Sequence, residues 1–243
     1  MRIALIGSSG RMGQAVKQVV DDTSHEIVAG FDVDNMPQKN TLSNCDVLID
    51  FSTATALKSN LKVALQAGKP FVTGTTGWYD DIEEIKDEVK KAEGSFLYAS
   101  NFSIGILLFH KLLSRAAELY GSFESYDFAL HEIHHNQKED SPSGTALTLA
   151  KEVLINVPGK EDLQVGNPDG KIPKDKLNVS SSRVGHVPGT HTLFIDSLQD
   201  TVEITHRAHG RVGFAAGAVK AAEWLIAKKG FYTMDDMLRT MVK

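Results

Sequence analysis

The stretch RIALIGSSGRMGQAVKQVV, residues 2–20, decides the fold class. It opens on a short β-rich run, RIALIG (2–7), that stops at a glycine, and continues with Met12, Val16, Val19 and Val20 at helical spacing. Between the two, GSSGRMG (7–13) reads G-x-x-G-x-x-G, a glycine turn joining a strand to a helix. Such a turn lets backbone N–H groups approach a pyrophosphate at the helix N-terminus, where unpaired amides and the helix dipole favour an anion. The glycine spacing departs by one residue from G-x-G-x-x-G, so the context carries the reading. A second strand, HEIVAGFD (25–32), closes on Asp32, 19 residues past Gly13. A carboxylate there accepts hydrogen bonds from the ribose hydroxyls of a dinucleotide. Val33 rather than arginine follows it, which suits NADH, while Arg11 in the glycine loop can meet the 2′-phosphate of NADPH. Dual use of NADH and NADPH is therefore expected.

The βα pattern continues outward from this unit. CDVLIDFS (45–52) is nearly all apolar, as in a strand buried on both faces of a parallel sheet. A helix over 54–68, a strand over 70–77, an amphipathic helix over 79–94 and a strand over 95–103 follow. Repeated βα units of this length predict a Rossmann-like, doubly wound parallel sheet. The strand ends TGTTG (73–77) and ASNFS (99–103) lie where ligands of open α/β sheets bind.

Beyond residue 103 the pattern changes. One long helix is expected over 104–121, then a half-buried strand over 125–133, with Tyr126, Phe128 and Leu130 on alternate positions. Residues 156–182, rich in Pro, Gly, Asp, Lys and Ser, read as loop with at most one short element. GTHTLFIDS (189–197) and TVEITHRA (201–208) form an antiparallel hairpin, and an Ala-rich helix over 214–229 precedes a short helical tail. The expected organisation is a dinucleotide-binding domain, 1–103 with 214–243. A smaller α+β domain, 104–213, serves substrate binding and oligomerisation on an open mixed or antiparallel sheet.

The chain has 243 residues, net charge −5, 42% hydrophobic and 23% charged residues. No basic cluster suggests a nucleic-acid partner, and no apolar run reaches the roughly 18–20 residues of a membrane span. The one cysteine, Cys45, fits a reducing, cytoplasmic setting and excludes an internal disulfide.

HEIHHNQKEDSPSGT (131–145) concentrates the chemistry. Its first five letters spell H-E-x-x-H, a zinc signature that works only on a helix, where residues four apart share a face. Here they end a strand pattern, on which His131 and His135 stand roughly 13 Å apart, so no metal is expected. The alternative is an anion site. His134, His135 and Lys138 offer protons and positive charge, with imidazole suited to proton transfer near neutrality. Ser143, Gly144 and Thr145 open a helix whose free N–H groups make a carboxylate or phosphate cradle. Arg183 and Arg211, expected in loops beside the hairpin, are further candidates.

GSSGRMG, IDFS, GTTG, ASNFS, EIHHNQKEDSPSGTA, PGTHTLFI and EITHRAHGRVGFAAGAVKAAEWL, in this order, closely resemble the 4-hydroxy-tetrahydrodipicolinate (dihydrodipicolinate) reductase family. The resemblance spans essentially the whole chain. It implies NAD(P)H-dependent reduction of a small dicarboxylate in the diaminopimelate route to lysine, a C-terminal helix returning to the nucleotide domain, and a homotetramer formed through the sheets of the substrate domain. It further implies His134 as general acid/base, Lys138 as proton donor, His135 on the substrate, and Gly144 with Thr145 on one carboxylate. Gly7, Ser8, Ser9, Gly10, Arg11 and Met12 would bind the pyrophosphate, and Asp32 the adenosine ribose. Gly74, Thr75 and Thr76, with Ala99, Ser100, Asn101 and Phe102, would flank the nicotinamide. The chain is shorter than many members between its second and third strands, on the adenosine side.

Two other readings compete. One is another Rossmann oxidoreductase acting on a carboxylated substrate, such as an amino-acid or semialdehyde dehydrogenase; the semialdehyde enzymes need a catalytic cysteine, and Cys45 opens a buried strand, a poor place for a nucleophile. A non-enzymatic dinucleotide sensor has no use for the His134 and Lys138 pair.

Overall fold

The computed structural model describes residues 1–241. The chain forms two compact units: Met1–Ile104 together with the chain from Arg211 onward, and Gly105–Gly210.

In the first unit β1 (Arg2–Ile6), α1 (Arg11–Asp21) and β2 (Glu26–Phe31) follow the opening stretch. Then come β3 (Val47–Asp50), α2 (Ala54–Gln66), β4 (Phe71–Thr73), α3 (Ile82–Lys91) and β5 (Ser95–Tyr98). Ile3 to Ile6 and Val47 to Ile49 are buried, the burial expected of central parallel strands covered on both faces. α1 buries only the stripe Gly13, Ala15, Val16 and Val20. α3 carries Glu83 and Glu84 in its first turn and Lys90 and Lys91 in its last, both complementing the helix dipole.

In the second unit α4 (Ile104–Gly121) leads into β6 (Asp127–His134), and α5 (Gly144–Asn156) follows. β7 (Asp162–Val165), β8 (Lys176–Arg183), β9 (Thr190–Asp196) and β10 (Thr201–Arg207) complete it. α6 (Val212–Leu225), β11 (Gly230–Thr233) and α7 (Met234–Met241) then return to the first unit. There α6 packs on α1, β3 and β4, and β11 adds a parallel edge strand beside β5. The first sheet is all parallel in the order β11-β5-β4-β3-β1-β2.

The second sheet runs β10-β9-β6-β8-β7 and is mixed. β6 pairs parallel with β8 and antiparallel with β9, and β9–β10 is the expected antiparallel hairpin. Three features differ from the sequence expectations. The 156–182 segment holds two strands, β7 and β8, instead of loop; Leu177 and Val179 alternate correctly, but Ser180–Ser182 hide the pattern. The C-terminal tail begins with β11, whose strand-favouring Phe231, Tyr232 and Thr233 pair with β5 and lead directly into α7. Residues 79–81 form a 3-10 turn, so α3 starts at Ile82. On one face of the second sheet, Phe128, Leu130, Val179, Leu193 and Ile195 pack against Phe109 and Leu113 of α4 and Leu149 and Val153 of α5.

Candidate active site

In the first unit, Gly7 adopts φ +75°, and a Cβ there would stand 2.3 Å from the Phe51 carbonyl oxygen, so only glycine fits this turn. Gly7 N and Ser8 N donate to Phe31 O at 2.8 and 3.2 Å, tying the loop to the end of β2. The first intrahelical bond of α1 is Gln14 N to Gly10 O, 2.9 Å. The amides of Arg11, Met12 and Gly13 therefore precede the helical ladder and fit a pyrophosphate. Asp32 accepts from Ser8 Oγ (2.7 Å), Ser9 Oγ (2.8 Å) and Ser9 N (3.2 Å). Burial opposes its charge, but these bonds more than offset that and hold the carboxyl below its ordinary range.

The residues expected to flank the nicotinamide separate into two kinds. Thr75 turns inward: its hydroxyl, with those of Thr73 and Ser52, donates to the buried Asp50 at 2.6–2.8 Å. Asn60 Nδ2 adds a longer contact at 3.4 Å. Phe102 is also buried, edge-on to Phe51 with ring centroids 6.1 Å apart. Thr76 and Ser100 are exposed, while Gly74, Ala99 and Asn101 are half-buried. Asn101 Oδ1 caps its own turn by accepting from Ser103 N at 2.8 Å. Cys45 is buried, and burial pushes its thiol up, away from nucleophilic use.

The chemistry-bearing residues of the second unit follow from strand register. Val202, Ile195 and Phe128 form one cross-strand row on the helix-covered face. Ile204, Leu193, Leu130 and Val179 form the next. One step further along the strands the row becomes His206, His191, Glu132 and Ser181, and then His134 faces Arg183. Side chains on a strand share a face every second residue, so His131 lies on the other face, where its Nδ1 bonds Ser180 Oγ at 2.7 Å. The H-E-x-x-H letters thus sit on a strand, with Glu132 and His131 turned to opposite sides.

Sequence reasoning missed Glu132. It is fully buried and accepts at Oε1 from Ser143 N (3.0 Å), Ser181 Oγ (2.9 Å) and Arg183 Nη2 (2.9 Å). Its Oε2 accepts from Ser143 Oγ, with His134 Nδ1 at 3.3 Å and His191 Nε2 at 3.6 Å. Burial opposes the charge, but the donors prevail and hold Glu132 well below the usual carboxylate range. Arg183 ends β8 rather than lying in a loop, and also donates to Asp140 O. Arg211 is exposed immediately before α6.

His134 is buried, and a Cβ on Gly189 would come within 3.0 Å of its Nε2, so glycine is needed for the close approach. Burial lowers its pKa to about 4; Glu132 pulls upward, while His191, Lys138 and Arg183 push further down. The imidazole is therefore neutral in the free chain at neutral pH, not the imidazolium expected beside Lys138. Lys138 Nζ pairs with Asp140 Oδ1 at 2.6 Å, and His135, just past β6, is half-buried. Ser143 caps α5 by accepting from Ala146 N at 3.1 Å, and a Cβ on Gly144 would meet nothing within 4 Å. The Gly144 amide faces the Asp140 carboxylate and helps to hold its pKa down, so this helix start favours an anion.

Glu132, His134 and His191 offer ligand atoms within 4.8 Å of one another, a spacing a divalent cation accepts. The guanidinium already on this carboxylate opposes a second full positive charge. Among the described residues, no helix is long and apolar enough to cross a membrane.

Two family profiles match the chain: "Dihydrodipicolinate reductase, N-terminus" over residues 1–102 and "Dihydrodipicolinate reductase, C-terminus" over residues 105–238. The chain is 41% identical over 245 residues, 100% of both proteins, to a 4-hydroxy-tetrahydrodipicolinate reductase of Christiangramia forsetii. It is 36% identical over 262 residues to one of Archaeoglobus fulgidus, covering 98% of this chain and 100% of the relative. The solved structure of a dipicolinate-bound dihydrodipicolinate reductase from Paenisporosarcina sp. TG-14 shares the fold at TM-score 0.78 and 23% identity, over 97% and 98% of the two chains. A probable dehydrogenase from Thermotoga maritima is a more distant fold relative, with TM-score 0.54 and 12% identity over 92% of this chain and 89% of the other. Matched across both units, this chain belongs to the dihydrodipicolinate reductase family.

Proposed function

We propose that the protein reduces 4-hydroxy-tetrahydrodipicolinate, through dihydrodipicolinate, to tetrahydrodipicolinate with NADH or NADPH, in the diaminopimelate route to lysine. The observation that carries this reading is Glu132, which faces His134 Nδ1 and bonds the Ser143 cap of α5, bringing the imidazole and the helix start together in a chain of this family. The bound dihydronicotinamide supplies a hydride to the unsaturated ring. The hydroxyl carbon has by then lost water to create that unsaturation, and a proton goes to the carbon next to the one that takes the hydride, so the ring gains one hydride and one proton and that double bond is saturated.

The protein's own residues supply the rest. The α5 amides at Gly144 and Thr145, with His135, hold the substrate's carboxylates; Lys138 enters as an ammonium and donates the proton. His134, neutral in the free chain, gains its own proton when the dianion's charge offsets the cations around it, and then serves as the acid/base group. Lys138 and protonated His134 both stabilise the negative charge that hydride addition places on the imine-carboxylate. Dual cofactor use is supported by an Asp32 already engaged by Ser8 and Ser9, and by an exposed Arg11. A homotetramer through the second sheet is supported by the face opposite α4 and α5, where His131, Thr192 and Phe194 are half-buried within the unit.

The test is NAD(P)H oxidation with freshly generated 4-hydroxy-tetrahydrodipicolinate, run with each cofactor. His134→Gln and Lys138→Ala are expected to lose about 100-fold or more in kcat with cofactor binding intact. Unchanged turnover in both variants would sink the site assignment, and a preference above about 100-fold, ~2.7 kcal/mol, for either cofactor would contradict dual use.

A further inference from the structure

Glu132 stands two residues before His134 on the same face of β6 and is fully buried. Its charge is maintained by one guanidinium, one backbone N–H and two hydroxyls. Two imidazoles, His134 and His191, turn toward the same oxygen, their rings 5.2 Å apart and nearly perpendicular. His134 Nδ1 approaches Oε2 to 3.3 Å but off the line of a hydrogen bond, and no other acceptor reaches this buried atom. A nitrogen lone pair facing a carboxylate lone pair at that distance is repelled, whereas an N–H is attracted. The proton of the neutral ring therefore belongs on Nδ1, and Nε2, the atom beside Gly189, carries the exchangeable lone pair.

Glu132 also reaches α5. Ser143 gives it both its N–H and its hydroxyl, and the same hydroxyl oxygen receives Ala146 N as the helix cap. One carboxylate thus touches the imidazole and the first turn of the anion cradle.

We propose that Glu132 is a positioning residue of the active site. It sets the Nδ1–H tautomer of His134, leaves Nε2 as the basic atom at which the ring takes up and releases its own proton, and locks that ring to the Ser143 cap of α5. The proposal rests on the reading of His134 as the acid/base group. Arg183, Ser181 and His191, all bonded to or facing Glu132, keep the carboxylate charged and in place.

The test is long-range ¹H–¹⁵N spectroscopy of the full-length chain at neutral pH, with the His134 signals assigned by their loss in His134→Gln. The wild-type ring is expected to show a protonated Nδ1 and an unprotonated Nε2. Glu132→Gln should shift the ring to a tautomer mixture and lower kcat by about tenfold or more, with NAD(P)H affinity unchanged. Glu132→Asp, which keeps the charge, should retain the tautomer and recover part of the turnover. An Nε2–H tautomer in the wild type overturns the proposal, as does an unchanged tautomer in Glu132→Gln. If Glu132→Gln does not fold, the wild-type spectrum alone decides. Full turnover in His134→Gln would instead fell the underlying acid/base reading, an outcome distinct from either tautomer result.

Discussion

Asp50 and Glu132 are both fully buried carboxylates, each near the end of a strand that leads to a helix start, and they live in opposite electrostatic worlds. Asp50 receives only neutral donors, the hydroxyls of Ser52, Thr73 and Thr75 and the amide of Asn60. Burial outweighs those bonds and pushes its carboxyl up. Glu132 has comparable neutral donors and, in addition, Arg183 at 2.9 Å, and is held down despite burial. Asp50 ties together the ends of β3 and β4 and the start of α2, which sets the path of the Gly74–Thr76 loop. Glu132 is kept charged among histidines, where a fixed negative charge can govern a proton. A buried carboxylate paired to a cation reads as an electrostatic tool, and one held by hydroxyls alone reads as a fastener.

The largest expected effect breaks that pairing. Arg183→Ala leaves a buried, uncompensated charge, and losing one partner of such a pair costs about 3–5 kcal/mol. Urea denaturation at neutral pH is the measurement. A cost below about 1 kcal/mol would mean that Glu132 does not depend on its cation, and the distinction from Asp50 would fail.

The intermediate effect lies in pH dependence. His134 has its pKa lowered from 6.5 to about 4, so the unfolded chain binds more protons between those values. The stability gained by keeping it neutral is complete above about pH 6.5 and is lost as pH falls toward 4, up to about 3 kcal/mol. His206, lowered chiefly by burial, adds to the same slope with the same sign. Glu132, lowered as a carboxylate, loses its contribution only below its ordinary range and leaves this window unaffected. His134→Gln should therefore flatten, without abolishing, the decline in stability between pH 6.5 and 5 in urea titrations. An unchanged slope would place the imidazole in a more solvated state.

Much of this was legible in the chain. The glycine turn, Asp32 and the apolar third strand announced the parallel sheet, and the Phe128–Leu130 alternation announced β6. The letters of the second site were visible too, but their partners were not. Arg183 and His191 reach Glu132 only through the β6–β8 and β6–β9 registers, which join residues 51 and about 59 positions apart. β8 was obscured because Ser181 and Arg183 replace apolar residues just where the strand leaves the core and enters the site. Likewise Glu132 looked like a letter of a zinc motif, because burial on a strand face is a property of the assembled sheet.

The smallest effect tests Asp50 as a fastener. Asp50→Asn removes the cost of burying a charge but also gives up acceptor capacity to Ser52, Thr73 and Thr75. The two changes oppose each other, so the net loss at neutral pH should be only about 1–2 kcal/mol. The sign of its pH dependence is the sharper observable. Asp50 has a raised pKa, so the folded wild type binds the extra proton as pH falls toward the carboxylate range and is relieved of its buried charge. The variant gains no such relief, so its deficit against wild type should widen on acidification, whereas the deficit of His134→Gln should narrow. Urea midpoints of both variants at pH 7 and pH 5 set the two slopes side by side. Parallel slopes would show that the two buried carboxylate regions respond alike, and the division between fastener and electrostatic tool would have to be given up.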